Sequence, residues 1–191
     1  MEKIRTFIAF HLPPDVRGHV EKIQNRFLDQ GFRMRRVRPE NIHLTLKFLG
    51  DIEKRQIETI AGAMTESMKD FSPLHLSAGG IGVFPGIRKA RILWCGLKGD
   101  THELIRLQKN LENHLEASGF EKEKRPFRAH MTIARMKESP NPQQLRKAME
   151  ESANLFSPPF CADEMILWQS RLRPSGPVYS RLQTIGFTNR Y

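Results

Sequence analysis

IHLTLKFLG, residues 42–50, and RAHMTIAR, residues 128–135, decide how the rest of the chain is read. Each carries His-x-Thr-x, at His43/Thr45 and at His130/Thr132. Side chains alternate across a strand with a period of two. On a strand, His43 and Thr45 share one face and Leu44 and Leu46 take the other. Met131 and Ile133 lie opposite His130 and Thr132 in the same way. An imidazole beside a hydroxyl, presented twice on half-buried strands, is a way to set two acid/base groups across a cleft. The remainder reads as scaffold for that pair.

Working outward, Ile4 to Leu12 predicts a strand stopped by Pro13-Pro14. A helix opens at Asp15 with Val16, Val20, Ile23 and Phe27 at helical spacing and Gly31 as its terminator. Phe32 to Val37 reads as a short basic strand, and Pro39-Glu40-Asn41 turns the chain into the first motif strand, which Gly50-Asp51 ends. A helix from Glu53 carries Ile57, Ile60, Ala61, Met64 and Met68. Leu74 to Phe84 is a strand interrupted at Gly79-Gly80, where a bulge is expected, and Arg91 to Leu97 is a buried strand. Asp100 or Thr101 caps a helix with Leu104, Leu107, Leu111 and Leu115, closed by Gly119. After the second motif, Asn141-Pro142 starts a helix with Leu145, Ala148 and Met149. Phe160 to Leu172 and Val178 to Phe187 form a hairpin around Pro174-Ser175-Gly176-Pro177. Antiparallel neighbours without strict βαβ alternation favour an α+β fold. The 191 residues fit a single domain, 1–191, or two small packed lobes. The recurrence of the motif on a strand after a helix suggests two related lobes meeting at the motif strands.

The formal charge of +10 favours an anionic partner. Arg33, Arg35, Arg36 and Arg38 precede the first motif, and Lys122, Lys124, Arg125 and Arg128 precede the second. Basic residues beside both histidines point to a phosphate-bearing ligand, nucleic acid first. Cys95 and Cys161 sit apart in apolar runs and read as buried free thiols of a reducing compartment. MEKIRTFIAF has no secretory pattern and no stretch approaches a membrane span. The expectation is a soluble, cytoplasmic protein, a monomer, with no membrane or protein partner.

Histidine near its ordinary pKa of about 6.5 works neutral as a base or protonated as an acid near pH 7. In-line displacement at phosphorus needs one of each on opposite sides of the phosphate. Threonine hydroxyls at Thr45 and Thr132 would donate to non-bridging oxygens, and Arg135, on the second motif strand, is placed to clamp a phosphate. This scheme needs no metal and no cofactor, and neither motif offers carboxylate or cysteine partners for a metal. The residues alone leave open which histidine is acid and which is base. His19, His102 and His114 read as helix-surface residues. Phe7, Phe48, Trp94 and Trp168 read as core.

The first motif with its preceding PEN (39–41), and PFRAHMTIAR (126–135), resemble the two HxTx signatures of the two-histidine (2H) phosphoesterase superfamily. The likeness is closest to its RNA 2',3'-cyclic phosphodiesterase family, also called 2'-5' RNA ligase. RTFIAF (5–10), RILWCGL (91–97), LWQSRL and YSRLQTIGF extend the resemblance over nearly the whole chain. It implies a bilobal fold of two pseudo-symmetric lobes, each an antiparallel sheet with outer helices, around a central cleft. It also implies metal-independent hydrolysis of RNA 2',3'-cyclic phosphate ends to 2'-phosphomonoesters, with reversible 2'-5' ligation as a related reaction. By that resemblance His43 is the proton donor, His130 the base, and Thr45, Thr132 and Arg135 contact the phosphate. Two rival readings are a non-catalytic module holding a nucleotide or RNA end in the same cleft, and metal-dependent hydrolysis.

Overall fold

The computed structural model describes residues 2–174 and 176–188. Among these, nine strands form two antiparallel sheets. The first has the order β3-β1-β8-β9, from β1 (Lys3–Phe10), β3 (Leu44–Glu53), β8 (Glu164–Arg173) and β9 (Gly176–Gly186). The second has the order β2-β6-β5-β4-β7, from β2 (Met34–Arg36), β4 (Leu74–Phe84), β5 (Ile92–Gly99), β6 (Met131–Met136) and β7 (Phe160–Ala162). Helices α2 (Ile57–Met68) and α3 (Thr101–Ala117) back the first sheet, and α1 (Pro14–Asp29) and α4 (Pro142–Ser152) back the second. This is the expected α+β arrangement of two lobes.

The helices form where the apolar stripes run. Val16, Val20, Ile23 and Phe27 of α1 and Leu104, Leu107, Leu111 and Leu115 of α3 are all buried. Pro14 stands at the start of α1, where its missing N–H costs nothing. Asn141 caps α4, its Oδ1 accepting from the backbone N–H of Gln143 and Gln144. Gly31, at φ 84°, turns the chain out of α1.

Several boundaries differ from the sequence expectation. Strand β3 does not stop at Gly50-Asp51. Gly50 takes φ 74° inside it, at a register shift against β1, and pairing continues to Glu53. Glu53 and Gln56 then form a reciprocal capping box, so α2 begins only at Ile57. The stretch 160–172 is two strands in different sheets. Phe160–Ala162 pairs with β4, and after Asp163 the chain passes to β1 in the other sheet. Ser175, in the turn expected at 174–177, lies outside the described residues, while β8 and β9 pair as a hairpin on either side of it. Cys161 is exposed rather than buried, because it alternates outward on the short strand β7; Cys95 is buried. The bulge expected in β4 is present, as a register shift between Ala78 and Ile81.

The first sheet curls on itself. The Asn41 amide, in the turn before the first motif, donates to the Pro177 carbonyl at the start of β9, 3.0 Å away. The chain also crosses repeatedly between the sheets. Val37, just after β2, donates to the Ile133 carbonyl of β6 at 2.9 Å. Six residues later comes His43, at the entry to β3 of the other sheet. Six residues reach at most about 20 Å, and the Pro39–Asn41 3-10 turn shortens that, so the two motif strands are held near each other.

A buried ion pair fastens α3 to β3. Lys47 Nζ meets Glu112 Oε2 at 2.8 Å and the Glu121 carbonyl at 2.7 Å, with both charged side chains nearly inaccessible. Glu112→Ala should destabilise the protein by about 3–5 kcal/mol, because it strands a buried ammonium. The apolar pair Lys47→Met with Glu112→Leu should recover most of that loss. Urea midpoints of the three proteins check this, and a Glu112→Ala midpoint equal to wild type would refute it.

Candidate active site

Both motifs are built alike, down to their irregularity. His43 and His130 each stand one residue before a strand. The first six positions of the two strands share one pattern: buried, half-buried, buried, buried, exposed, half-buried. Against β1, residue Leu46 is skipped: Ala9 pairs with Thr45 and Ile8 with Lys47. Against β5, residue Ile133 is skipped: Trp94 pairs with Thr132 and Leu93 with Ala134. In each case a bulge falls on the residue immediately after the threonine. An extra residue shifts the alternation by one. Lys47 and Ala134 are therefore turned toward the core, and Phe48 and Arg135 come onto the face of Thr45 and Thr132.

Each bulge is pinned from below by a buried glutamine. Gln108 of α3 donates to the Leu46 carbonyl at 3.3 Å, and Gln24 of α1 donates to the Ile133 carbonyl at 2.7 Å. Gln24 also reaches the Val37 carbonyl at 2.8 Å, joining the second motif to the chain leading into the first. Neither glutamine stands out in the sequence as a site residue. The available signal is a polar residue interrupting an apolar stripe: Gln24 falls four after Val20, and Gln108 four after Leu104.

The imidazoles are oriented by one device used twice. His43 Nδ1 lies 2.7 Å from the Asn41 carbonyl, and His130 Nδ1 lies 2.6 Å from the Arg128 carbonyl, each two residues upstream. A carbonyl only accepts, so Nδ1 carries the proton and donates it there. In the neutral ring Nε2 is then the free, basic nitrogen.

Aromatic rings flank both. His43 stacks on Phe7 at 4.6 Å between centroids and meets Tyr179 edge-on at 5.3 Å. His130 meets Phe84 edge-on at 5.0 Å and Trp94 at 6.1 Å. Trp94 lies over Gly82, where any Cβ would run into the indole. Trp168 stacks 6.4 Å from Phe7 and carries Arg181 over its ring. Of the four aromatics expected in the core, Phe7 is buried, but beneath His43. Trp94 and Trp168 are half-buried on the motif faces, because their strands turn those positions inward to the site. Phe48 is 67% exposed, because the bulge at Leu46 turned it over. His19 and His114 are half-buried rather than on the surface.

Burial pushes the His43 pKa down to about 4, against the opposing pull of its bond to the Asn41 carbonyl. In the ligand-free protein its ring is neutral at pH 7. Burial raises the Tyr179 phenol, and the positive charges of Arg135 and Arg5 work in the other direction. The charge of Arg135, on the second motif strand, thus acts on Tyr179, which meets the His43 ring of the first edge-on; His43 and Thr45 stand together on one motif strand, and His130, Thr132 and Arg135 on the other. Among the described residues no group of three or more His, Cys, Asp or Glu could hold a metal ion, and no helix is long and apolar enough to cross a membrane.

The architecture is shared with solved structures. Escherichia coli LigT in its apo form matches with a TM-score of 0.75 at 22% identity, covering 99% of this chain and 100% of that one. A Thermus thermophilus protein matches with a TM-score of 0.80 at 24% identity, over 98% and 100%. At such identity the likeness is one of fold. In sequence, the RNA 2',3'-cyclic phosphodiesterase of Methanothermobacter thermautotrophicus is 31% identical over 95% of this chain and 97% of its own length. That of Thermotoga maritima is 31% identical over 96% of both. The model of the 2'-5' RNA ligase superfamily matches residues 12–173, and the chain belongs to that superfamily.

Two outcomes test this geometry. Gln24→Met, of similar volume, removes the donor to the Ile133 and Val37 carbonyls. It should cost about 1–3 kcal/mol for the buried acceptors left behind, and lower turnover more than substrate affinity as Thr132 shifts. A variant with unchanged stability and kcat would rule out the pinning role. For His43, the unfolded chain takes a proton near pH 6.5 and the native chain only near 4. Stability contributed by the neutral ring is present above pH 6.5 and is lost as pH falls toward 4, by roughly 1–3 kcal/mol. Denaturation of wild type and His43→Asn across that range should show a shallower fall for the variant; parallel curves would refute it.

Proposed function

We propose that the protein hydrolyses terminal 2',3'-cyclic phosphates of RNA to 2'-phosphomonoesters by acid/base catalysis from His43 and His130, without a metal. The observation that carries this reading is the duplicated device: two imidazoles, each with Nδ1 fixed to the carbonyl two residues upstream, Nε2 free, and a threonine on the same strand face. The curated relatives named RNA 2',3'-cyclic phosphodiesterase, similar over nearly the full chain, support the substrate.

In the reaction a neutral imidazole takes a proton from water as its oxygen bonds to phosphorus. The P–O3' bond breaks, and the other imidazole, protonated, gives its proton to the departing 3'-oxygen. Thr45, Thr132 and Arg135 donate hydrogen bonds to the non-bridging oxygens. The resemblance assigns His43 as the donor. In the empty cleft burial keeps that ring neutral, so the donor role requires the anionic phosphate to draw a proton onto it. Substrate binding then takes up a proton near neutral pH. With a 5'-hydroxyl in place of water, the same bond changes join two RNA ends through a 2'-5' linkage, and reversal cleaves it. The RNA-end enzyme is expected to act in the cytoplasm as a monomer.

The test is an oligoribonucleotide ending in a 2',3'-cyclic phosphate, incubated with purified protein and EDTA, with the product end identified. Clean formation of the 2'-phosphate is expected. A 3'-phosphate, or activity abolished by the chelator, would overturn the mechanism. His43→Ala and His130→Ala should each lower the rate by roughly 10²–10⁴-fold, and binding with no turnover in wild type would favour a holding module instead.

A further inference from the structure

The basic clusters before the two motifs are not uniform. In the first, Arg33 pairs with Glu138 at 3.3 Å and Arg36 donates to Asn25 at 2.7 Å, both outside the motif face. Arg35 has no carboxylate partner among the described residues. It lies directly across the β2–β6 ladder from Arg135, which also has none there. Residues opposite one another on a ladder share a face. Arg135 in turn is paired with Ile92, two residues before Trp94, whose partner is Thr132. Arg35 therefore extends the catalytic face by one strand.

The second cluster divides the same way. Lys122 is held by Glu116 and Asn113 at 2.9 Å, Arg125 by Glu123 at 3.3 Å, and Lys124 lies 4.0 Å from Glu121. Arg128 has no carboxylate partner among the described residues. Its guanidinium sits 5.9 Å over the ring of Phe84, the ring that His130 meets edge-on. Of these cations, Arg35 is tied to the motif face by its register against Arg135, and Arg128 by its contact with the Phe84 ring.

Two like charges placed opposite each other across a strand pair destabilise it unless an anion lies between or above them. One cyclic phosphate has a single negative charge, and Thr45, Thr132 and Arg135 already suffice to contact it. Arg35 and Arg128, on either flank, leave cationic positions with no role in the bond changes. Guanidinium groups bind phosphodiester oxygens in bidentate fashion.

Building on the reaction proposed above, we infer that Arg35 and Arg128 bind phosphodiesters of the RNA chain upstream of the cyclic end. The site thereby selects a polynucleotide terminus over a cyclic mononucleotide. The 5'-ward chain leaves the cleft across these flanks, and the affinity it adds is electrostatic and salt-dependent.

The experiment compares kcat/KM for 2',3'-cyclic AMP with that for a five-nucleotide RNA ending in 2',3'-cyclic phosphate, over a range of salt. Wild type should favour the oligonucleotide by about a hundredfold, and Arg35→Ala with Arg128→Ala should reduce that ratio by roughly tenfold per arginine. The logarithmic salt slope for the oligonucleotide should flatten by about 0.7 for each phosphate that is no longer neutralised. The control is Arg33→Ala with Arg36→Ala, which removes equal charge from paired positions and should keep the ratio. Equal rates for both substrates in wild type, an unchanged ratio in the first double variant, or an equal fall in the control would overturn the inference while leaving the hydrolysis intact. Turnover of neither substrate would instead overturn the reaction, and this inference with it.

Discussion

The site depends on two backbone carbonyls that a regular sheet would not leave available. A bulge takes one residue out of the ladder, and its buried polar groups must find partners elsewhere. At Leu46 and Ile133 the partner is a glutamine amide from the helix underneath. Both glutamines are nearly inaccessible, so neither can exchange its bond for water. An unmade bond there costs the full desolvation of the groups, which fixes the bulge at one position. The bulge then decides which residues share the face of the threonines. The chemistry of the face is set by helix-to-sheet packing on the far side of each sheet.

Two copies of one backbone device have been filled differently. Past the bulge the first motif sends Lys47 inward and Phe48 outward; the second sends Ala134 inward and Arg135 outward. Lys47 needs Glu112, which also receives the Gln108 amide and the Glu123 N–H. That network draws the segment after α3 against the first sheet, and the same segment leads on to Arg128 and His130. Ala134 needs nothing. Past the bulge the first motif thus presents an aromatic ring and the second a cation.

The motif strands, the helical stripes and the α+β class are legible in the sequence because they rest on local periodicity. A period of two places His43 with Thr45 and Leu44 with Leu46 correctly. It fails at Phe48, because one extra residue reverses all later positions and no residue type at Leu46 announces a bulge. Trp94 and Trp168 are misplaced for a related reason. In apolar strands nothing local distinguishes the face toward a helix from the face toward a cleft. The sheet switch at Asp163 is hidden because the apolar run from Phe160 continues across it. Gln24 and Gln108 are within reach, as polar residues in stripe positions, yet a stripe alone does not say which carbonyl lies below.

The interleaved path explains how the two motifs, far apart in sequence, are tied to each other. If each lobe were a contiguous half, their relative placement would rest on a surface contact alone. Here β1 pairs in the first sheet, α1 backs the second, β2 pairs with β6, and β3 returns to the first. Gln24 holds both the carbonyl of Val37, on the way to His43, and that of Ile133, next to Thr132. A relative shift of the lobes would have to break buried backbone and amide bonds at that junction. The spacing between the two imidazoles is therefore a property of the folded core. The proposed in-line proton transfer from two sides of one phosphorus would depend on that rigidity, since an ångström-scale displacement of a catalytic group can cost about 10²-fold in rate.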